Sequence, residues 1–158
     1  MELETTRFGR IEYDPESVIV FTQPIIGFQE WRRYLIMPGP TGTSVTWLQS
    51  VERGDLAFLV MDPHRLIPDY EVKLSGAELA ELAVSSVKEL EVYTLMVVPA
   101  DRTQVRTNLK APIVVNRAKR LGKQTILDRS DYPVQYFLAQ PQQPGGTSRE
   151  VANARSDT

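Results

Sequence analysis

Short β-rich runs broken by proline and glycine constrain this chain more than any other feature of it. Ser17 to Phe21 reads SVIVF, Arg33 to Met37 reads RYLIM, and Glu91 to Val98 contains VYTLMVV. Such β-branched and aromatic segments suit a pleated, half-buried surface. Asp14-Pro15 separates the first run from a looser alternation over Leu3 to Tyr13. Pro38-Gly39-Pro40 with Thr41-Gly42 ends the second, and Pro99 stops the third; these are loop-forming residues that cannot continue a ladder. Ser44 to Ser50 and Leu56 to Met61 read as two more strands around Arg53-Gly54-Asp55. Their short connection predicts a hairpin. Ile113 to Asn116 and Gln124 to Leu127 complete the set.

About eight or nine short strands at close spacing predict a barrel or sandwich. No regular alternation of strands with full-length helices is present, which argues against a parallel α/β sheet. The expected fold is mainly β: a small antiparallel barrel-like domain with one short helix and short helical turns. The helix is placed by Ser75-Gly76-Ala77-Glu78, whose S-x-x-E spacing is that of a capping box. Leu79, Leu82 and Ala83 follow at helical spacing, and the segment is expected to end near Val84 to Val87.

The chain has 158 residues, enough for one domain with a core of its own. From Gln140 it reads QPQQPGGTSREVANARSDT. That composition buries too little apolar surface to offset its ordering entropy. A β domain over 1–138 and a disordered tail over 139–158 are the expected organisation.

Composition removes several function classes. There is no cysteine, hence no disulfide, thiolate metal site or cysteine nucleophile. The one histidine, His64, would have to serve any Ser-His-Asp triad and would be a metal site's only imidazole. No cofactor is expected. No apolar run approaches the roughly 18 residues of a membrane span. MELETTRFGR lacks the basic and apolar regions of a signal peptide, so a cytoplasmic location is expected. The net charge of −2 disfavours wholesale binding to nucleic acid. Residues 1–100 hold 15 acids and 8 bases, whereas 101–158 hold 5 acids and 10 bases. The acidic part suits a basic partner.

Several motifs fail on inspection. Leu121-Gly122-Lys123-Gln124-Thr125 lacks the first glycine of a phosphate loop, where Arg117 stands, and the hydroxyl after its lysine. Asp62, His64, Asp69 and Glu71 are metal-ligating types without a known ligand spacing. Glu78 and Glu81 share a helix face, where solvation and capping explain them. Arg117, Lys119, Arg120 and Lys123 form a basic cluster, the only basis for an RNA-binding β-barrel. No aromatic platform lies between Tyr93 and Tyr132, so a basic turn between strands is the simpler reading.

Three ordered blocks carry a resemblance. PIIGFQEWRRYLIMP at 24–38 contains Gly27-Phe28 before a strand. WLQSVERGDLAFLVMDPHRLIPDYEVKL at 47–74 contains Leu48-Gln49-Ser50, Leu56-Ala57-Phe58, Asp62-Pro63 and Pro68-Asp69-Tyr70-Glu71. TNLKAPIVVNRAKRLGKQTIL at 107–127 contains Asn108-Leu109, Ala111-Pro112, Asn116, Gly122 and Gln124. Together these blocks resemble the FliW family of bacterial flagellar assembly factors. Ile25-Ile26 stands where the family pattern has Leu-Pro.

The resemblance implies a non-enzymatic β-barrel, monomeric when free, with two protein partners and no membrane or direct nucleic-acid contact. One partner is flagellin. The other is CsrA, a small basic dimer that represses flagellin translation by binding messenger RNA. Free flagellin would occupy the protein, and flagellin secretion would release it to sequester CsrA.

The alternation in LAFLVM puts Leu56, Phe58 and Val60 on one strand face, and Ala57, Leu59 and Met61 on the other. Leu48, Leu56, Phe58, Leu59 and Val60 are expected core residues, and two apolar faces make this strand central or covered. Gln49, Asp62, Asp69, Tyr70 and Glu71 are the expected surface contacts, with Asn108 as a further candidate. Tyrosine beside carboxylates suits an interface, offering area with one polar tip.

Overall fold

The computed structural model describes residues 1–139. Its strands are β1 (Glu2–Thr5), β2 (Gly9–Glu12), β3 (Ile19–Phe21), β4 (Arg33–Pro38), β5 (Val45–Ser50) and β6 (Ala57–Met61), then helix α1 (Gly76–Glu81). After α1 come β7 (Glu91–Val97), β8 (Arg106–Thr107), β9 (Ile113–Asn116), β10 (Leu121–Gln124) and β11 (Tyr136–Phe137). Four single 3-10 turns begin at Pro15, Pro63, Val87 and Arg102. The part of the predicted tail from 140 onward lies outside the described residues.

Strands β3, β4, β5, β6, β7, β9 and β10 pair in that order, and β10 returns to β3. The result is a closed seven-stranded barrel, and the mainly β expectation holds. All of these pairs are antiparallel except β10–β3, which is parallel, with Leu121 opposite Val20 and Gly122 opposite Phe21. The exception follows from counting. An odd number of strands cannot alternate direction around a closed ring, so one neighbouring pair must run parallel. The predicted β5–β6 hairpin is present, with Leu48 opposite Phe58 and Gln49 opposite Ala57. The last strand of the ring lies at Leu121–Gln124 rather than over 124–127. Arg120, at φ 58°, turns the chain early and lets Leu121 pair with Asn116.

The barrel interior holds Ile19, Phe21, Ile25, Tyr34, Leu48, Val60, Ile113 and Val115, with Phe28, Phe58 and Leu95 packed against them. A second cluster lies outside the ring: Tyr70, Val72, Leu82, Leu90, Leu109, Val114 and Leu127. Strand β9 separates the two, with Ile113 and Val115 facing in and Val114 facing out. The segment from Ile67 to Leu90 and residues 127–136 therefore act as a cover over β9 and the start of β7.

Helix α1 begins as predicted. Ser75 Oγ accepts from the Glu78 amide at 3.1 Å, and the Glu78 carboxylate accepts from the Ser75 amide at 3.2 Å. It stops earlier than predicted, at Glu81. Ala83 adopts φ 60°, the Val84 amide donates to the Leu79 carbonyl at 3.0 Å, and the Ala83 amide donates to the Ala80 carbonyl at 3.0 Å. This is the Schellman pairing, here with alanine where glycine is usual.

Candidate protein-binding surface

The chain leaves β6 at Met61 and enters the loop that carries most of the predicted contact residues. Asp62 caps the 3-10 turn Pro63–Arg65, accepting from the His64 amide at 3.0 Å. The His64 ring places Nδ1 2.7 Å from Asp62 Oδ1 and Nε2 3.1 Å from the Tyr70 carbonyl. The imidazole thus ties the start of the loop to its end, and Asp62 is spent on shaping it.

Tyr70 is corrected from surface contact to anchor. It is 4% exposed. Its hydroxyl donates to the Leu109 carbonyl at 2.6 Å, and its ring lies 4.5 Å from that of Tyr132. Burial, reinforced by Tyr132, pushes its phenol well above the usual range. Asp69 and Glu71, on either side, are exposed. The Glu71 amide donates to the Tyr132 hydroxyl at 2.9 Å, which fixes the backbone while the carboxylate stays in solvent. Lys73 approaches that carboxylate only to 3.9 Å, and both side chains are largely exposed. Such a pair contributes about 0–1 kcal/mol and leaves Glu71 free to exchange partners.

Gln49 is also corrected. It is fully buried, with Nε2 within 3.0–3.1 Å of the carbonyls of Ser50, Gly54 and Leu56. It holds the β5–β6 turn together from inside. Asn108 is half-buried and likewise structural: its Oδ1 accepts from the amides of Lys110 at 2.9 Å and Ala111 at 3.1 Å. The same holds for other motif positions. Asn116 Nδ2 donates to the Leu82 carbonyl at 2.8 Å. Gln124 accepts from the Ile26 amide at 3.0 Å and donates to the Ala111 carbonyl at 3.0 Å. Ile26 supplies an amide hydrogen that proline could not. A Cβ on Gly122 would meet Ile19 and Phe21 at 3.2 Å, so the strand pairing that closes the ring favours glycine there.

The loop borders a depression of about 720 Å³. Glu71, Asp128, Asp131, Tyr132 and the half-exposed Ile126 line it, with Lys73 and Arg129 also on its wall. Its floor adjoins an ion-pair network that sequence reasoning missed. Lys123 Nζ lies 3.2 Å from a Glu78 oxygen and 3.0 Å from a Glu81 oxygen, with only 11% of the lysine side chain exposed. Thr125 donates its hydroxyl to Glu78 at 2.8 Å. Burial acts to raise the Glu78 carboxyl, but its bonds to Thr125, Ser75 and Lys123 hold it below the ordinary value. The sequence placed Glu78 and Glu81 on one helix face, where solvation and capping explained them, and Lys123 in a basic cluster; it did not bring the three together.

The basic cluster at 117–123 is largely neutralised. Arg117 makes a two-pronged contact with Glu91 at 2.8 and 3.1 Å, Arg120 faces Glu16 at 3.6 Å, and Lys123 is held as above. Among the described residues, no group of three or more His, Cys, Asp or Glu could hold a metal ion, and no helix is long and apolar enough to cross a membrane.

The fold and loop define a closed β-barrel whose exposed carboxylates are displayed on a stiffened surface loop. The FliW family model matches residues 2–138, so the chain belongs to the FliW family of flagellar assembly factors. It is 38% identical to the flagellar assembly factor FliW of Ruminiclostridium cellulolyticum, over 87% of this chain and 94% of that one. It is 37% identical to the FliW of Natranaerobius thermophilus, over 87% and 92%. The crystal structure of a flagellar assembly factor FliW superposes with a TM-score of 0.80 at 31% identity, over 87% of this chain and 96% of that one.

Proposed function

We propose that this protein is a non-enzymatic, cytoplasmic regulator that binds flagellin and sequesters the translational repressor CsrA, relieving repression of flagellin synthesis. It acts as a chaperone-like monomer when free and needs no cofactor. The observation that carries the CsrA half of this reading is the loop at 68–71. Pro68 and the buried Tyr70 hold it in one shape, and Asp69 and Glu71 point their charge into solvent. Asp128 and Asp131 add carboxylates on the neighbouring wall. A preshaped acidic surface loses little entropy on meeting a basic partner and speeds the encounter. Direct action on messenger RNA is the weaker reading, because three of the four bases that suggested it, Arg117, Arg120 and Lys123, already face carboxylates.

Isothermal titration of the full chain with purified CsrA, then with flagellin added, tests the proposal. A CsrA complex that free flagellin dissolves is the expected result. A folded chain giving no heat with either protein would overturn it.

A further inference from the structure

The outer face of β5, β6 and β7 carries an apolar groove whose charge is opposite to that of the acidic loop. A depression of about 540 Å³ over β5, β6 and β7 merges with one of about 380 Å³, the two sharing Leu59, Met96, Val98 and Arg102. Outward residues of the three strands form the floor: Trp47 lies opposite Leu59 in the β5–β6 register, and Met96 of β7 continues it, with Val98 just past the end of that strand. Val98 is 38% exposed. The rest of the outer face near β9 is covered by the second hydrophobic cluster, but this part is open.

The charge on the groove is one-sided. Arg7 and Arg102 line it, and no Asp or Glu is among its described lining residues. The Arg7 guanidinium stacks over the Trp47 ring at 4.3 Å, which holds that charge at the rim. Neither arginine has a carboxylate partner among the described residues. The acid nearest Arg102 in sequence, Asp101, accepts from the Thr103 amide at 3.0 Å and the Thr103 hydroxyl at 2.7 Å, so it is turned into its own 3-10 turn, and the acid nearest Arg7, Glu4, pairs with Arg10 at 2.6 Å. In a chain of net charge −2, two unpaired arginines beside an apolar floor are a local reversal.

We infer that this groove is a docking site for an amphipathic, acidic helical segment of a partner protein, with apolar residues on the floor and carboxylates against Arg7 and Arg102. A helix fits better than an added strand. Strands β5, β6 and β7 are each paired on both sides, so the floor offers side chains and no free ladder edge. The occupant is the electrostatic opposite of the basic partner proposed for Asp69 and Glu71. The inference stands independently of that reading.

The probe is a fluorescein-labelled helical peptide with leucines at i, i+3, i+4 and i+7 and glutamates along both flanks, compared with its lysine-flanked twin. Binding to the full chain is read by anisotropy, and by Trp47 emission in a Trp31→Phe background. The acidic peptide should bind at least tenfold more tightly than the lysine twin, and more weakly as salt rises. Arg7→Glu with Arg102→Glu should reverse that preference while leaving the circular dichroism spectrum unchanged. If the double reversal fails to fold, Arg7→Gln with Arg102→Gln should abolish the preference. Equal affinity for both peptides, or no binding, would overturn the proposal. So would hydrogen exchange showing residues 140–158 protected in the free chain and released by peptide, which would give the groove to the chain's own segment. A dimer in sedimentation that Met96→Lys converts to monomer would give it instead to a second copy.

Discussion

Tyr70 spans 39 positions to donate its phenol hydrogen to the Leu109 carbonyl at 2.6 Å, joining the acidic loop to the turn that precedes β9. Asp69 and Glu71 therefore sit on a surface fixed by the outer core and not on a free tether. Tyr70→Phe keeps the ring and its contact with Tyr132 but leaves that buried carbonyl without its donor. The loss should be about 1–3 kcal/mol of stability, seen in urea unfolding as a lower midpoint with an unchanged slope.

Reversing both neighbouring charges tests the surface without touching the anchor. Asp69→Lys with Glu71→Lys should leave the fold intact, since both side chains are exposed. It should weaken CsrA binding by about 1–3 kcal/mol at low salt, mostly through association rate, and by less at high salt. Unchanged affinity at low salt would move the contact elsewhere.

Ala83 adopts the left-handed conformation while its side chain is exposed. A left-handed backbone costs a residue with a Cβ roughly 1–2 kcal/mol, part of which glycine returns through its freer unfolded state. Ala83→Gly should stabilise the protein by about 0.5–1 kcal/mol in chemical denaturation. A loss of stability would mean that the methyl group packs more than its exposure indicates.

Gly54 is where the β1–β2 hairpin meets the barrel. A Cβ there would collide with the Glu4 carbonyl, and the Gly54 carbonyl already accepts from the Thr6 amide at 3.1 Å. Gly54→Ala should cost about 1–3 kcal/mol and raise hydrogen exchange selectively in residues 2–12. Unchanged exchange there would show that the hairpin shifts without loosening.

The ion pairs on Lys123 and Arg117 set a pH window. Glu78, Glu81 and Glu91 are held below the ordinary carboxyl value of 4.5. For Glu81 the foremost cause is a bond from Thr22; for Glu91, Arg117 and Tyr93 outweigh burial. Their contribution is full above 4.5 and lost as pH falls through their lowered values. Lys123 is held above 10.5, its two glutamates outweighing burial, so its contribution is full below 10.5 and lost as pH rises through the raised value. Thermal melting should show a plateau between these limits. Lys123→Met should blunt both edges and cost about 2–3 kcal/mol, less than the roughly 3–5 of a fully buried pair, because the glutamates are 27% exposed.

Local chemistry made the strands, the capping box at Ser75 and the β5–β6 hairpin legible, because period-2 patterning, turn residues and cap spacing act over a few residues. The three motif blocks likewise pointed to the family. What the sequence could not distinguish was why those motif residues are there. Gln49, Tyr70 and Asn108 are polar, and polar residues in a single sequence suggest a surface. Each instead satisfies a distant or turn-bound backbone group, and only the packed chain reveals such partners. The parallel β10–β3 closure was hidden for the same reason, since it joins positions about 100 residues apart. The groove over Trp47, Leu59 and Met96 was equally invisible: two apolar strand faces signal burial, but which stretch of the outer face stays uncovered depends on where the 67–90 cover lies. Residue type and short-range spacing determined the elements; ring closure and long-range hydrogen bonding decided which side chains were left to meet a partner.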